Sequence, residues 1–286
     1  MKRNALLFIT HKVDDKIIEL FGQLKRETSE REGFDLFLVY NGNEGDCRKD
    51  VVKFNHDKVF YFNEDVVNEC GFEMHYYYPY NQKFFGHNVE YSFLTFFRKN
   101  NNYDYYWIIE YDVLFNGNWN TFFDYFEEKD TDFITNYIGS VKNAMNKLKM
   151  WKEQFGKFLW LKTLNIPLEN RYRSLNCIFR ISNRAMKYVV DLYDKGNYGF
   201  YEIFMVTVLK NAGYTVKQMG SKKTWRSYDV DDLFVVGESQ DNLINGKNPR
   251  TFAVRTSQIL DPKNGPKNKL YHPIKGSFES ERKKII

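Results

Sequence analysis

The stretch Trp107-Ile108-Ile109-Glu110-Tyr111-Asp112-Val113 decides how this chain is to be read. An apolar, aromatic run ends in two carboxylates one residue apart, and the turn-formers Asn116, Gly117 and Asn118 come soon after. Read as a strand, its period of two places Glu110 and Asp112 on one face at the carboxyl end. Their Cα atoms are then roughly 6–7 Å apart, at about 3.3 Å per residue. That spacing lets one hard divalent cation, with water and phosphate oxygens, lie beside both carboxylates. Open α/β sheets bind ligands at the carboxyl ends of their strands, where this pair falls. The simpler explanation is two solvated carboxylates at an ordinary strand end, and the rest of the chain weighs against it.

Upstream, Ala5 to Thr10 reads as a short buried strand ending in Thr10-His11-Lys12. An amphipathic helix comes next, starting near Asp14 or Asp15 and carrying Ile17, Ile18, Leu20, Phe21 and Leu24 on its apolar side. Phe34 to Tyr40 is a second buried strand closed by Asn41-Gly42-Asn43. Lys58 to Phe62, reached by a short crossover, is a third, with Asn63-Glu64-Asp65 at its end. Strands alternating with a helix, each ending in polar turn residues, describe a nucleotide-binding α/β half. Downstream the pattern predicts helices over 89–99, 119–126 and 201–210, and one started by Ser182 as N-cap. It predicts strands over 132–138, 174–181 and 214–219. Beyond Ser221 the composition turns polar and Pro/Gly-containing, which marks 221–286 as a loop-rich extension to a domain spanning 1–220.

The 286 residues suit one large α/β domain with such an extension, and 43% hydrophobic content excludes wholesale disorder. The net charge of +5 suits a protein that handles phosphates and argues only weakly for nucleic acid, so no nucleic-acid partner is expected. Aromatics reach 18%, with 21 Tyr and 26 Phe, and most of them read as packing residues. Cys47, Cys70 and Cys177 are far apart and form no CxxC, so they read as ordinary reduced thiols of a cytoplasmic protein. The apolar run Ala5 to Ile9 is too short for a signal-peptide core, and no stretch approaches 18 apolar residues. Walker, GxGxxG, HExxH and GxSxG motifs are all absent. The acidic run Asp124, Glu127, Glu128, Asp130 and Asp132 reads as a solvated helix end.

Glu110-Tyr111-Asp112 resembles the acidic DxD motif of type-A-fold (GT-A) glycosyltransferases, with Glu in place of the first Asp. Three more stretches fall in the order such a family would place them, over roughly residues 5–275. Ser174-Leu175-Asn176-Cys177-Ile178-Phe179-Arg180-Ile181-Ser182 resembles the strand on the acceptor side. Phe200-Tyr201-Glu202 resembles the helix start with an acidic residue facing the acceptor, and Tyr271-His272-Pro273-Ile274-Lys275 the late His of the metal site. The resemblance implies a Rossmann-like mixed sheet flanked by helices. It implies transfer of a sugar from a nucleotide-diphosphate donor, foremost a UDP-sugar, with Mn²⁺ or Mg²⁺.

On that reading Asp112 and His272 are the expected metal ligands, and Glu110 and Lys275 face the diphosphate. Glu202 is the expected catalytic base, because a carboxylate within hydrogen-bond reach of a hydroxyl can take its proton. Thr10, His11, Asn41 and Asp65 end the first three strands, where base and ribose would lie, and Lys83 in the aromatic loop could reach the diphosphate. The acceptor would be a glycan or lipid-linked sugar of surface-polysaccharide or lipopolysaccharide synthesis. The basic, aromatic segment 147–162, with Trp151 and Trp160, is a candidate for peripheral contact with the inner face of the membrane. Two readings compete. A nucleotidyltransferase would want a Gly-rich phosphate loop that Thr10-His11-Lys12 lacks. A non-catalytic module would bind glycan or nucleic acid in an aromatic, basic cleft built on 147–162.

Overall fold

The computed structural model describes residues 2–42, 44–73, 89–142, 161–162, 164–219, 262, 265 and 267–274. Lys83, Lys275 and the segment 147–160 lie outside the described residues.

Strand β1 (Asn4–Thr10) is buried at every position, as its apolar run requires. Helix α1 (Asp15–Thr28) begins where the Asp14 carboxylate accepts the Ile17 N–H at 2.9 Å, and it turns Ile17, Leu20, Phe21 and Leu24 inward. The crossover from β2 (Phe34–Asn41) to β3 (Val59–Phe62) contains a helix, α2 (Glu44–Val51). Asn63-Glu64-Asp65 does not form an open turn. Asn63 caps α3 (Glu64–Glu69) by accepting the Val66 N–H at 2.9 Å. Helix α4 (Glu90–Lys99) then leads into β4 (Tyr105–Glu110), the two-residue β5 (Leu114–Phe115) and α5 (Trp119–Glu127).

The two long strands expected next are each divided. Residues 132–138 give β6 (Phe133–Thr135), and the chain then leaves the sheet for β7 (Ile138–Ser140). After β8 (Leu161–Lys162), residues 174–181 likewise divide between β9 (Tyr172–Ser174) and β10 (Ile178–Ser182). The cause is pairing: β6 and β10 join each other in the main sheet, while β7 and β9 pair off beside it. Ser182 caps α6 (Asn183–Asp194) as the sequence predicts. Next come β11 (Tyr198–Gly199), α7 (Tyr201–Asn211), β12 (Val216–Gln218) and, far along the chain, β13 (Leu270–Tyr271).

The seven-stranded sheet has the order β12-β6-β10-β4-β1-β2-β3. Only β10 runs antiparallel to its neighbours, so the sheet is mixed. Alternate side chains feed two cores. Leu7, Ile9 and Ile108 pack with α4, α6 and α7 on one face, while Leu6, Phe8, Trp107 and Ile109 pack with α1 and α5 on the other. The expected fold, a Rossmann-like α/β sheet flanked by helices, is the observed one. Among the described residues no helix is long and apolar enough to cross a membrane.

The acidic run 124–132 is not a solvated helix end throughout. Asp124 and Glu127 each pair with Arg31 at 2.6 Å. Asp132 is buried and accepts from Arg184 Nε at 2.7 Å and Nη2 at 2.6 Å, Ser182 Oγ at 2.9 Å, and the Thr215 N–H and Oγ1 at 2.9 Å. Burial by itself raises this carboxyl's pKa, but those hydrogen bonds outweigh it and hold the group below its ordinary value. A depressed carboxyl stabilises the fold above its unfolded pKa and loses that contribution as pH falls through the folded one. Asp132→Ala is therefore expected to cost about 3 kcal/mol near neutrality, since hydrogen bonds to a charged group are worth roughly 1.5–3 kcal/mol. The difference from the parent should shrink below about pH 4 in urea denaturation.

Candidate functional site

The carboxyl ends of the parallel strands β1, β2, β3 and β4 lie along one edge of the sheet, at Thr10, Asn41, Phe62 and Glu110. Because β10 runs the opposite way, its start brings Asn176 and Cys177 to the same edge. From β1 the chain goes to β2 and β3 on one side and returns to β4 on the other. The edge between β1 and β4 is thus the topological switch point, the place where an open α/β sheet leaves a crevice.

Glu110 and Asp112 do not share a strand face. The ladder ends as the Tyr111 N–H donates to Ile9 O at 3.0 Å, and the Val113 N–H then closes a turn on Glu110 O at 3.1 Å. The neighbour strand stops guiding the chain there, because Thr10 Oγ1 donates to Lys12 O at 2.7 Å and β1 bends away. Asp112 is consequently a turn residue, aimed by the pairing of β5 immediately after it. Strand β5 takes β13 as antiparallel partner, Phe115 opposite Leu270 and Leu114 opposite Tyr271. Asn116 fastens this pairing, its N–H donating to Lys269 O at 3.1 Å and its Oδ1 accepting the Lys269 N–H at 2.9 Å. The Ile274 N–H donates to Asp112 O at 2.8 Å on the other side. His272, held between these bonds, presents Nε2 at 3.6 Å from Asp112 Oδ1. The main-chain and side-chain hydrogen bonds between Asn116 and Lys269 close a sequence separation of 153 residues.

Both side chains are at least nine-tenths buried. Asp112 Oδ1 has no hydrogen-bond partner among the described residues. A buried carboxylate oxygen is costly unless a proton donor or cation meets it, so this atom marks where a cation fits. Glu110 is fixed by the Tyr201 hydroxyl, which donates to its Oε1 at 3.0 Å. Burial, together with the Glu110 charge, pushes the Tyr201 hydroxyl well above its usual pKa, so it remains a donor. Carboxylates plus one imidazole form an oxygen and nitrogen donor set that Mn²⁺ or Mg²⁺ accepts.

Glu202 lies in the first turn of α7, next to Tyr201. Its Oε1 accepts the Asn176 N–H at 3.1 Å, and its backbone carbonyl accepts Ser174 Oγ at 2.9 Å. Asn176 is itself buried, and its Oδ1 accepts Thr135 Oγ1 at 2.8 Å. Glu202 keeps some exposed surface while its carboxyl is enclosed by protein. Burial drives that carboxyl up to about 7, against the pull of the Asn176 N–H and the Arg173 charge. A carboxyl poised near neutrality at a sheet edge is what proton transfer from a hydroxyl requires.

Of the other expected residues, Thr10 is buried, with its hydroxyl on Lys12 O, and His11 stands edge-on to Tyr111 with ring centroids 5.0 Å apart. Asn41 ends β2, two strands from β4. Asp65 is exposed in the first turn of α3, beside the edge strand β3, about 14 Å from β4 at ordinary strand spacing. Lys83 and Lys275 lie outside the described residues. Sequence reasoning missed four participants: Cys177, Tyr201, Asn176 and Arg173. Cys177 was expected to be an ordinary thiol, yet its Sγ is 3.5 Å from His272 Nδ1, and Glu110, Cys177 and His272 offer ligand atoms all within 4.8 Å of one another. The one signal for it was its place within the stretch 174–182 expected on the acceptor side; that the strand there would pair antiparallel to β4 is not written locally.

Neither family models nor curated proteins match the chain. Among solved structures it is similar to glucosyl-3-phosphoglycerate synthase from Mycobacterium tuberculosis, crystallised with Mn²⁺, UDP and phosphoglyceric acid. That likeness has 10% identity, covers 76% of this chain and 68% of the other, and has a TM-score of 0.41. A galactosyltransferase in complex with donor and acceptor sugar analogues gives 10% identity, 76% and 73% coverage and a TM-score of 0.39. A 4-diphosphocytidyl-2C-methyl-D-erythritol synthase from Anaerococcus prevotii gives 8% identity, 86% and 97% coverage and a TM-score of 0.42. At these values the functional reading rests on the residues of this chain.

Proposed function

We propose that the chain is a metal-dependent glycosyltransferase that moves a sugar from a nucleotide-diphosphate donor, foremost a UDP-sugar, to an acceptor hydroxyl. The observation that carries the reading is the buried Asp112 Oδ1, which has no hydrogen-bond partner among the described residues and lies 3.6 Å from His272 Nε2 just past the carboxyl end of β4. Asp112 and His272 hold Mn²⁺ or Mg²⁺, with Glu110 fixed alongside by Tyr201. Bound there, the ion supplies positive charge to the diphosphate as it leaves. Thr10, His11, Asn41 and Asp65, at the ends of β1 to β3, are the proposed contacts for base and ribose. Lys83 and Lys275 are proposed cations for the diphosphate.

The acceptor hydroxyl oxygen attacks the anomeric carbon while the bond from that carbon to the phosphate oxygen breaks. The bonding pair goes to the diphosphate and the hydroxyl proton goes to Glu202. Direct attack of this kind inverts the anomeric centre. The acceptor is proposed to be a glycan or lipid-linked sugar of surface-polysaccharide or lipopolysaccharide assembly. The proposed setting is the cytoplasm, with 147–162 against the inner face of the membrane and 221–286 as an extension that closes on the site.

A thermal-shift panel of nucleoside diphosphates and nucleotide sugars, with Mn²⁺ or with chelator, tests this. One nucleotide should raise Tm only with metal, by about 5 °C at a ligand concentration near 100 Kd. No shift with any nucleotide, combined with steeply salt-dependent oligonucleotide binding, would overturn the enzyme reading in favour of a binding module.

A further inference from the structure

Sugar transfer leaves one residue of the site unused. Cys177 stands directly before β10 and faces Glu110 across the strand pair, where the Glu110 N–H donates to Cys177 O at 2.9 Å. Its thiol is buried, and its Sγ approaches His272 on the Nδ1 edge, whereas Asp112 faces the Nε2 edge. A hard ion such as Mg²⁺ has little use for sulfur. Thiolate, imidazole and carboxylate together suit a borderline ion of the Zn²⁺ class. The spacing agrees. Metal–sulfur and metal–nitrogen bonds of about 2.3 and 2.05 Å at a tetrahedral angle separate S and N by about 3.6 Å. The observed separation is 3.5 Å.

We propose that Glu110, Cys177 and His272 Nδ1 form a second metal-binding set, selective for thiophilic divalent ions and sharing His272 with Asp112. The inference rests on His272 being a metal ligand in the proposed function. On binding, the thiol S–H bond breaks, a sulfur–metal bond forms and the proton passes to solvent. A neutral imidazole has one nitrogen lone pair, so an ion on Nδ1 leaves Nε2 protonated and pointing at Asp112 Oδ1. That hydrogen then faces the Asp112 oxygen, 3.6 Å from Nε2 and without a hydrogen-bond partner among the described residues, and Nε2 is withdrawn from the hard ion. Zn²⁺ is thus an inhibitor that competes with Mn²⁺, and Cys177 is what gives it its advantage.

The test uses the full chain, freed of metal and titrated separately with Co²⁺, Zn²⁺ and Mn²⁺. Bound Co²⁺ should show a thiolate charge-transfer band in the near ultraviolet on the parent protein, which requires no variant to fold. Cys177→Ser and Cys177→Ala, checked by thermal melting, should lose the band and bind Zn²⁺ roughly 100-fold more weakly. Their Mn²⁺ affinity, read from the electron paramagnetic resonance of free Mn²⁺, should stay within about threefold. Co²⁺ bound without the band, or Zn²⁺ affinity unchanged in both variants, overturns this inference and leaves the Asp112–His272 site standing. Failure of every ion to bind overturns both.

Discussion

Replacing Glu202 by Gln is expected to abolish transfer and, at the same time, to stabilise the metal-free protein above neutral pH. Loss of a general base costs typically 10²–10⁴ in rate, and the amide cannot take a proton. The stability gain has the same origin in burial. The Glu202 carboxyl titrates near 7 instead of at its ordinary 4.5 because its charged form is desolvated. A raised pKa stabilises the fold fully below the unfolded value of about 4.5, and this is lost as pH rises through about 7. At pH 8.5 the ionised group therefore costs up to about 3 kcal/mol, which Gln removes while its carbonyl still accepts the Asn176 N–H. Urea denaturation of parent and variant at pH 5 and 8.5, with chelator, reads the effect. The two should be nearly equal in acid and diverge in base. In the parent, kcat should rise with pH through an apparent value near or below 7, since a bound cation lowers neighbouring carboxyls. A Glu202 that merely supports α7 would leave turnover of the Gln variant intact.

Asp112→Ala has the second large effect, and it falls on binding. The parent side chain contributes a buried oxygen without a hydrogen-bond partner among the described residues, so its removal breaks no hydrogen bond of that oxygen. The turn itself survives, because the Ile274 N–H bonds to the Asp112 backbone carbonyl. Folding stability should change by less than about 1 kcal/mol, and a small gain is the expected direction. Metal-dependent nucleotide affinity should fall by more than about 100-fold, the equivalent of roughly 2.7 kcal/mol. Isothermal titration of UDP with Mn²⁺ into both proteins checks it, with melting curves as the control. Unchanged affinity would remove Asp112 from the site.

The features legible along the chain are those encoded within one turn or one strand. The apolar run at 5–10, the Asp14 cap with its inward Ile17, Leu20, Phe21 and Leu24, and the Ser182 cap are local signals, and each element forms where they place it. So is the strand that leads to Glu110. The features that escaped depend on distant partners. A period of two extended that strand through Asp112, but β1 bends away at Thr10 and β13 captures β5 instead. Asp132 looked solvated because Arg184 and Thr215, which bury it, lie 52 and 83 residues away. Cys177 looked idle because its neighbours Glu110 and His272 arrive on two other elements. Glu110, Asp112 and His272, all expected at the site, lie together all the same: Glu110 and His272 offer ligand atoms within 4.8 Å of one another, and Asp112 Oδ1 is 3.6 Å from His272 Nε2.

The anomalous difference density of crystals grown with Mn²⁺ and UDP bears most directly on the proposed metal and donor site. A peak should lie within roughly 2.0–2.3 Å of an Asp112 carboxylate oxygen and of His272 Nε2, with diphosphate oxygens on the same ion. The uridine should run along the carboxyl ends of β1 and β2. A manganese peak on surface carboxylates, with UDP bound away from β4 or not at all, would contradict the assignment.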